Sequence, residues 1–421
     1  MPLPRREKRS IWRKNLTASR QAERQQGSLR PQRAALALVA LVSLQSCRTE
    51  SIPPTTSGAE ASWVVASEPQ LVIGVLDGDP AYQFSGISAI ARQRDGGLIV
   101  ADAGSSTVRT YDSEGKSLRL LGGPGTGPGE FVRPTQVMAG ADGSILVWDD
   151  ATYRVTEFNP EGDLAHVRTF SRERIAKAVE RPMYPASGIL LNGGDLIVRL
   201  TFKTGDVPSG SFRRQSGALR VASDQSVIDT VLFFPDIEEV SVDLPKGQLA
   251  ITPPLARRTS IAVQPNEDRI CIGDQEGPEV RCFGPDGSAV PIRWEADPVT
   301  VKTNDPAIAS WRDSMLDLYM QKMNREDADR ILSQVPAPVE RPPYSEMVLD
   351  RGGHLWVKVD AAADPSQTDR YLVFTPAGQP VGPVSVPPVR ILEIGDDYLV
   401  GVARDEVEVQ YVQVFEIAKP D

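Results

Sequence analysis

Residues 95–115 read DGGLIVADAGSSTVRTYDSEG, and residues 142–162 read DGSILVWDDATYRVTEFNPEG. The two stretches align without a gap at an offset of 47 and are identical at seven of 21 positions. Each opens on an Asp-Gly turn and runs into a strand of branched apolar residues that ends at an Asp, Asp102 or Asp149. A short loop follows, then a strand ending in an aromatic (Tyr111, Phe158), then a turn closed by Gly115 or Gly162. Turn residues of this kind between short β-prone runs predict hairpins. Residues 269–287, RICIGDQEGPEVRCFGPDG, repeat the frame: Asp102 to Tyr111, Asp149 to Phe158 and Asp274 to Phe283 are each nine apart.

Fainter copies extend the pattern. Residues 193–198 (GGDLIV) open one, residues 350–357 (DRGGHLWV) another, and residues 395–400 (GDDYLV) the last. Six units result, at roughly 87–122, 134–170, 186–235, 259–295, 344–387 and 389–417, with a long connection over 236–258. A period in the forties with four short strands per unit predicts an all-β, six-bladed β-propeller. The abundance of breakers, 34 Gly and 35 Pro, agrees with many short strands. The last unit is one strand short, and a spare strand at residues 70–75 (QLVIGV) is expected to complete it and close the ring, which removes free sheet edges. One segment breaks the pattern. Asp305-Pro306 offers a helix start, and Trp311, Met315, Tyr319, Met323 and Ile331-Leu332 recur at helical spacing until Pro336. One inserted helix near 305–335 is expected, its stripe packing onto the body, with a lid or partner-docking role as the other reading.

The N-terminus reads differently. Residues 1–46 carry ten Lys/Arg against two Asp/Glu, whereas the remainder carries 36 basic against 54 acidic residues, a net charge of −18. A body this acidic argues against nucleic-acid binding. Behind the basic flank lies an eleven-residue apolar run, residues 34–44, too short to span a bilayer but suited to a secretory signal. The run ends in Leu44-Gln45-Ser46-Cys47, which resembles a bacterial lipobox; the resemblance implies cleavage before Cys47 and its lipidation. The expected organisation is therefore a lipoprotein-type signal peptide over 1–46, a flexible tether over 47–68 and the propeller over 69–421. The chain is expected in the cell envelope, lipid-anchored and facing the periplasm or the exterior.

Gly122-Gly123-Pro124-Gly125-Thr126-Gly127-Pro128-Gly129-Glu130-Phe131, with Pro134, resembles the inter-blade segment of NHL-type repeats, and Asp149, Arg154, Val155 and Phe158 resemble their strand-pair motif. The whole is similar to the bacterial exported NHL-like six-bladed propellers. The first two units match well and the others loosely.

Candidate chemistry is sparse. The run 122–129 has no Lys-Ser/Thr after it and sits between strands, so it reads as an inter-blade turn and not as a phosphate loop. Only His166 and His354 are present, too few for the usual catalytic zinc set, and no Ser-His-Asp set can be named. Asp102, Asp149 and Asp274 could ring a channel mouth and hold Ca²⁺; their place at strand ends favours accepting backbone hydrogen bonds instead, and no cofactor is expected. In the repeat frame Cys271 and Cys282 fall opposite each other in one hairpin, so a disulfide is expected in an oxidising compartment, with two buried thiols as the other reading. No catalytic residue stands out. The leading reading is a membrane-tethered module that binds a protein, peptide or glycan; the alternative is a hydrolase or lyase with a carboxylate-lined central site. Cys47→Ser is expected to leave an uncleaved or soluble form, measured by fractionating membranes; a variant as firmly membrane-bound as the native protein would refute the anchor.

Overall fold

The computed structural model of the protein describes residues 63–179, 183–191, 193–202, 207–264, 269–284, 287–302, 304–359 and 368–419. Cys47, the expected signal and most of the expected tether lie outside them. Strands β1 (Val64–Val65) and β2 (Leu71–Ile73) come first. The first sheet holds β3 (Ile87–Arg92), β4 (Leu98–Asp102), β5 (Thr107–Tyr111) and β6 (Ser117–Gly122). The second holds β7 (Pro134–Ala139), β8 (Ile145–Asp149), β9 (Arg154–Phe158) and β10 (Leu164–Thr169), followed by a short helix α1 (Arg172–Lys177). The third holds β11 (Met183–Leu190), β12 (Leu196–Phe202), β13 (Ser211–Val221), β14 (Val227–Asp243) and β15 (Gln248–Ile251). The fourth holds β16 (Ser260–Gln264), β17 (Arg269–Gly273), β18 (Glu279–Phe283) and β19 (Ala289–Arg293). Helices α2 (Pro306–Met320) and α3 (Arg325–Leu332) precede the fifth sheet, β20 (Glu346–Leu349), β21 (Leu355–Val359), β22 (Asp369–Phe374) and β23 (Pro380–Val386). The sixth holds β24 (Arg390–Ile394), β25 (Tyr398–Arg404) and β26 (Gln410–Ala418).

All six sheets are antiparallel meanders in chain order, the arrangement of a β-propeller. The spare N-terminal strand does join the last sheet: Leu71, Val72 and Ile73 face Val414, Gln413 and Val412 of β26. Sheet structure also begins earlier than the expected boundary at 69, because Val64 and Val65 pair with Ala418 and Ile417.

Each sheet buries both faces. Side chains alternate across a strand, so neighbours in sequence serve opposite cores. Ile99 and Ala101 of β4 pack with Val137 and Val147 of the second sheet, whereas Leu98 and Val100 pack with Val400 and Val412 of the sixth. Equivalent clusters join the second sheet to the third, the third to the fourth, the fourth to the fifth and the fifth to the sixth. Polar side chains staple the same joints. Gln136 exchanges two hydrogen bonds with the Leu190 backbone, at 2.7 and 2.9 Å, and Gln410 Oε1 accepts from Ile87 N at 2.7 Å.

The strand-end acids act as turn acceptors. Asp149 is fully buried and accepts from Val132 N (2.6 Å), Arg133 N (3.2 Å), Ala151 N and Thr152 N (both 2.9 Å). Asp102 accepts likewise from Ser85 N, Gly86 N, Gly104 N and Ser105 N. Each side chain ties the end of a second strand to the chain entering the first strand of its sheet. In the fourth sheet the role passes to the next residue: Gln275 Oε1 accepts from Arg258 N at 2.7 Å, whereas the Asp274 carboxylate accepts from the local Glu276 N at 3.1 Å. The glycine run is an inter-sheet turn. Pro124 bridges Phe131, and a Cβ at Gly122 would lie 2.1 Å from Gly129 O. Cys271 and Cys282 face each other in register across β17 and β18, with Cα atoms 4.0 Å apart, and form a disulfide.

Two expectations need correction. Residues 236–258 are not merely a connection, because β14 continues to Asp243 and β15 adds a fifth strand to the third sheet. The insertion is two helices, not one. Asn324 caps the second, its Oδ1 accepting from Asp327 N at 2.9 Å, and Glu326 and Asp327 in its first turn complement its dipole. The apolar stripe packs as expected: Trp311, Met315, Tyr319 and Ile331 cluster with Val242 and Ile251 of the extended third sheet.

Burial pushes the Asp149 carboxyl up, but the amides of Val132, Thr152 and Arg133 outweigh it and hold the group below the usual carboxylate range. Its stability contribution is therefore present above the unfolded pKa and lost as pH falls. Asp149→Ala orphans four amides, and a loss of about 3 kcal/mol is expected by denaturant unfolding near neutral pH, shrinking on acidification. A loss below about 1 kcal/mol would show that the turn does not depend on this carboxylate.

Candidate functional site

The departures from the repeat converge on one place. The chain enters and leaves the helical insertion as a paired stem: Val301 N donates to Val339 O at 2.9 Å and Arg341 N to Val299 O at 2.8 Å. Asp305 caps α2 by accepting from Ala307 N at 3.0 Å and also binds Arg341 at 2.6 Å. Trp311 Nε1 donates to Thr252 O at 3.0 Å, so the insertion is pinned to the chain just after β15. Between this stem and the ends of the fourth and fifth sheets opens a cleft of about 660 Å³. Trp294, Pro298, Pro343, Tyr344 and Leu372 supply apolar wall. Gln275 braces it from beneath, its backbone N–H donating to Tyr344 OH at 3.1 Å and its Nε2 to Tyr344 O at 2.7 Å. A second chamber of about 350 Å³ lies against the first strands of the third, fourth and fifth sheets, lined by Ile189, Ile261, Arg199 and Glu346 among others. Arg258 and Ser345 line both hollows.

Most charges nearby are engaged. Arg213 Nη1 contacts Glu276 at 2.7 Å, and the other Glu276 oxygen takes Arg257 Nη1 at 2.7 Å. Arg257 also pairs with Glu238, and Arg199 with Asp236. Burial raises the Glu238 carboxyl, but hydrogen bonds from Arg257 and Ser211 bring it below its ordinary range. Among the described residues the guanidinium groups of Arg258 and Arg370, which both line the cleft, make no ion pair or hydrogen bond. The Trp294 indole N–H is closed off from solvent and has no acceptor among the described residues, whereas Arg258 and Arg370 are exposed.

Glu346 stands out in the second chamber. Burial pushes its carboxyl above the usual range, partly offset by the nearby Lys358 charge and by Tyr371 OH, which donates to Oε2 at 3.2 Å. Lys358 itself is bound to Asp369 at 2.6 Å, and Arg390 donates to Ile87 O at 2.5 Å.

The residues singled out in the sequence lie elsewhere. Cys271 and Cys282 sit in the core between the fourth and fifth sheets. Asp102 and Asp149 are spent on backbone amides of different sheets. Among the described residues no three His, Cys, Asp or Glu are grouped to hold a metal. His354 Nδ1 lies 3.2 Å from the buried Asp350, which also binds Lys419 at 2.9 Å, and its ring stands edge-on to Trp63. That cluster ties β21 to both ends of the described chain. His166 pairs across β10 with Glu157. The sequence reading missed Arg258, Trp294, Glu346 and Arg370. The one available signal was Arg257-Arg258, a basic pair at the threshold of a repeat unit in an acidic body.

No protein-family model matches the chain, and no curated protein sequence matches it. Solved propellers do resemble it in shape. A member of the DUF4221 family from Bacteroides vulgatus matches 85% of this chain and 99% of its own at a TM-score of 0.48 and 10% identity. A calcium-binding protein, regucalcin, from Agrobacterium tumefaciens matches 81% and 93% at a TM-score of 0.38 and 10% identity. A gluconolactonase from Xanthomonas campestris matches 80% and 87% at a TM-score of 0.39 and 12% identity.

A carboxyl whose folded-state pKa is raised contributes stability below its unfolded pKa that is lost as pH rises through the folded value. Glu346→Gln is therefore expected to melt higher than the native protein at about pH 8, the difference closing toward about pH 4. Equal melting temperatures across that range would mean that the carboxyl is not held in an unfavourable environment.

Proposed function

We propose that this protein is an exported, closed six-bladed propeller, anchored through a lipid at Cys47, that works as a binding module with its ligand seated in the cleft beside the helical insertion. One observation carries the reading. The cleft joins an apolar wall to the exposed side chains of Arg258 and Arg370, which have no partner among the described residues, and ligand sites combine apolar walls with a few polar groups. Pairing of β2 with β26 and the shared core of the sixth and first sheets support closure. The disulfide supports an oxidising, extracytoplasmic setting. The glycine turn at residues 122–131 supports kinship with NHL-type propellers.

Partners of the binding module are a peptide, a glycan or a protein surface able to insert a side chain. The second reading, a hydrolase or lyase, rests on Glu346, a half-buried carboxyl lining the second chamber, which shares Arg258 and Ser345 with the cleft. Ser345 is exposed at that neck, so Ser345→Trp fills it without disturbing the core. On peptide and glycan arrays the native protein is expected to retain specific ligands that Ser345→Trp loses at an unchanged melting temperature. Undiminished binding by the variant would move the site away from this cleft.

A further inference from the structure

The sheets have two distinct ends. Each is an antiparallel meander, so the turns from first to second strand and from third to fourth lie at one end. The loops from second to third strand, and the links between sheets, lie at the other. The cleft belongs wholly to this second end. Arg258 leads into β16, Gln275 lies in the β17–β18 loop and Trp294 follows β19. Tyr344 leads into β20, Val359 ends β21 and Arg370 stands at the start of β22.

Trp63 stands at the opposite end. Val64 pairs with Ala418 where β26, a third strand, runs out, and β1 heads from there toward the cleft end. A clasp holds Trp63 in place. Lys419 Nζ lies 4.7 Å from the Trp63 ring centroid, 2.9 Å from Asp350 Oδ2 and 2.8 Å from Gly395 O. The Trp63 ring meets His354 edge-on at 4.7 Å and Trp356 at 5.7 Å. Asp350 and His354 close the β20–β21 turn, and Gly395 lies in the β24–β25 turn. Gln264, at the end of β16, donates to Arg351 O at 2.8 Å, so the turns of the fourth, fifth and sixth sheets share this end. Asp350 is fully buried, and removing either partner of a buried ion pair leaves an uncompensated charge. The entry of the chain is thus fastened on the side away from the cleft.

Cys47 precedes Trp63 by 16 residues. That stretch spans at most about 55 Å however it is arranged. Turning the cleft toward a membrane that holds Cys47 would take it back past the full height of a sheet, and β21, with five residues, is alone about 17 Å long. We infer that the protein stands on its membrane with the turn end inward and the cleft outward. The cleft then meets ligands of the aqueous space or of a facing surface, not lipids of the membrane that holds the protein. This inference rests on the reading of Cys47 as a lipid anchor and of the cleft as the ligand site.

Fluorescent labels at the two ends read the orientation. Ser113 and Ala377 are exposed in third-to-fourth-strand turns, whereas Asp297 and Val407 are exposed at the cleft end. Each is replaced singly by Cys in the full-length lipidated protein, where Cys271 and Cys282 are buried in their disulfide and do not react. The labelled proteins are reconstituted into phosphatidylcholine vesicles that carry an acceptor dye on a trace of the headgroups. Energy transfer is expected to be about twofold or more stronger from Ser113→Cys and Ala377→Cys than from Asp297→Cys and Val407→Cys, because the ends differ in height by more than a strand length. Flotation of the same vesicles separates the two levels. A protein that does not float loses the anchor, and the inference falls with it. A protein that floats with equal transfer from both ends, or with more from Asp297→Cys and Val407→Cys, keeps its anchor and overturns the orientation.

Discussion

Val147 and Trp148 are neighbours in β8, yet they serve different cores, one against the first sheet and the other against the third. That division repeats in every sheet, and the rest of the structure depends on it. A sheet buried on both faces cannot slip by one residue without exchanging its two cores. The register must therefore be set locally, and the strand-end acceptors do this. Asp102, Asp149 and Gln275 each fix the entry of a first strand against the exit of a second, so that every sheet presents its faces at a fixed angle to the next. Each large apolar side chain so buried contributes about 1.5–3 kcal/mol, and a misplaced turn would forfeit several at once.

The repeated parts of this arrangement were readable in the sequence because they are local. Asp-Gly turns, the nine-residue step from acid to aromatic and the glycine four further on are short-range constraints that each unit must satisfy alone. The pairing of Cys271 with Cys282 followed from the same frame. The third unit defeated the reading because β14 runs for 17 residues straight through Pro235-Asp236, which reads as its end, so its extension looked like a connection. The split of the insertion depended on Asn324, whose capping role competes with an apolar stripe that runs on through Met323. The cleft was illegible for a different reason. Arg258 and Trp294 flank the fourth unit while Glu346 and Arg370 come from the fifth, and only the packing of the fourth sheet on the fifth, with the stem beside them, brings them to shared walls.

The irregular features are not scattered. The fifth strand of the third sheet, the two helices and the paired stem all lie between the third and fifth units, and they hold one another. Trp311 and Gln334 of the insertion hydrogen-bond to the backbone around β15 and β14, at Thr252 O (3.0 Å) and Asp243 N (2.8 Å). Features that break a local rule tend to mark function, since the repeat alone would fold without them.

Charge makes the same point from another side. An acidic body has carboxylates to spare, and around the cleft it spends them thoroughly: Arg199, Arg213, Arg257 and Arg341 each have an acidic partner. Against that background Arg258 and Arg370, both exposed, have no acidic partner among the described residues. Pairing them would have required no new element, because Glu340 and Glu295 line the same cleft. Acids and arginines alike are exposed there, where a charge costs little desolvation and an ion pair would contribute little. The stem that bounds the cleft is clamped by Asp305 and Arg341, so the shape of this wall is set by the fold of the insertion itself.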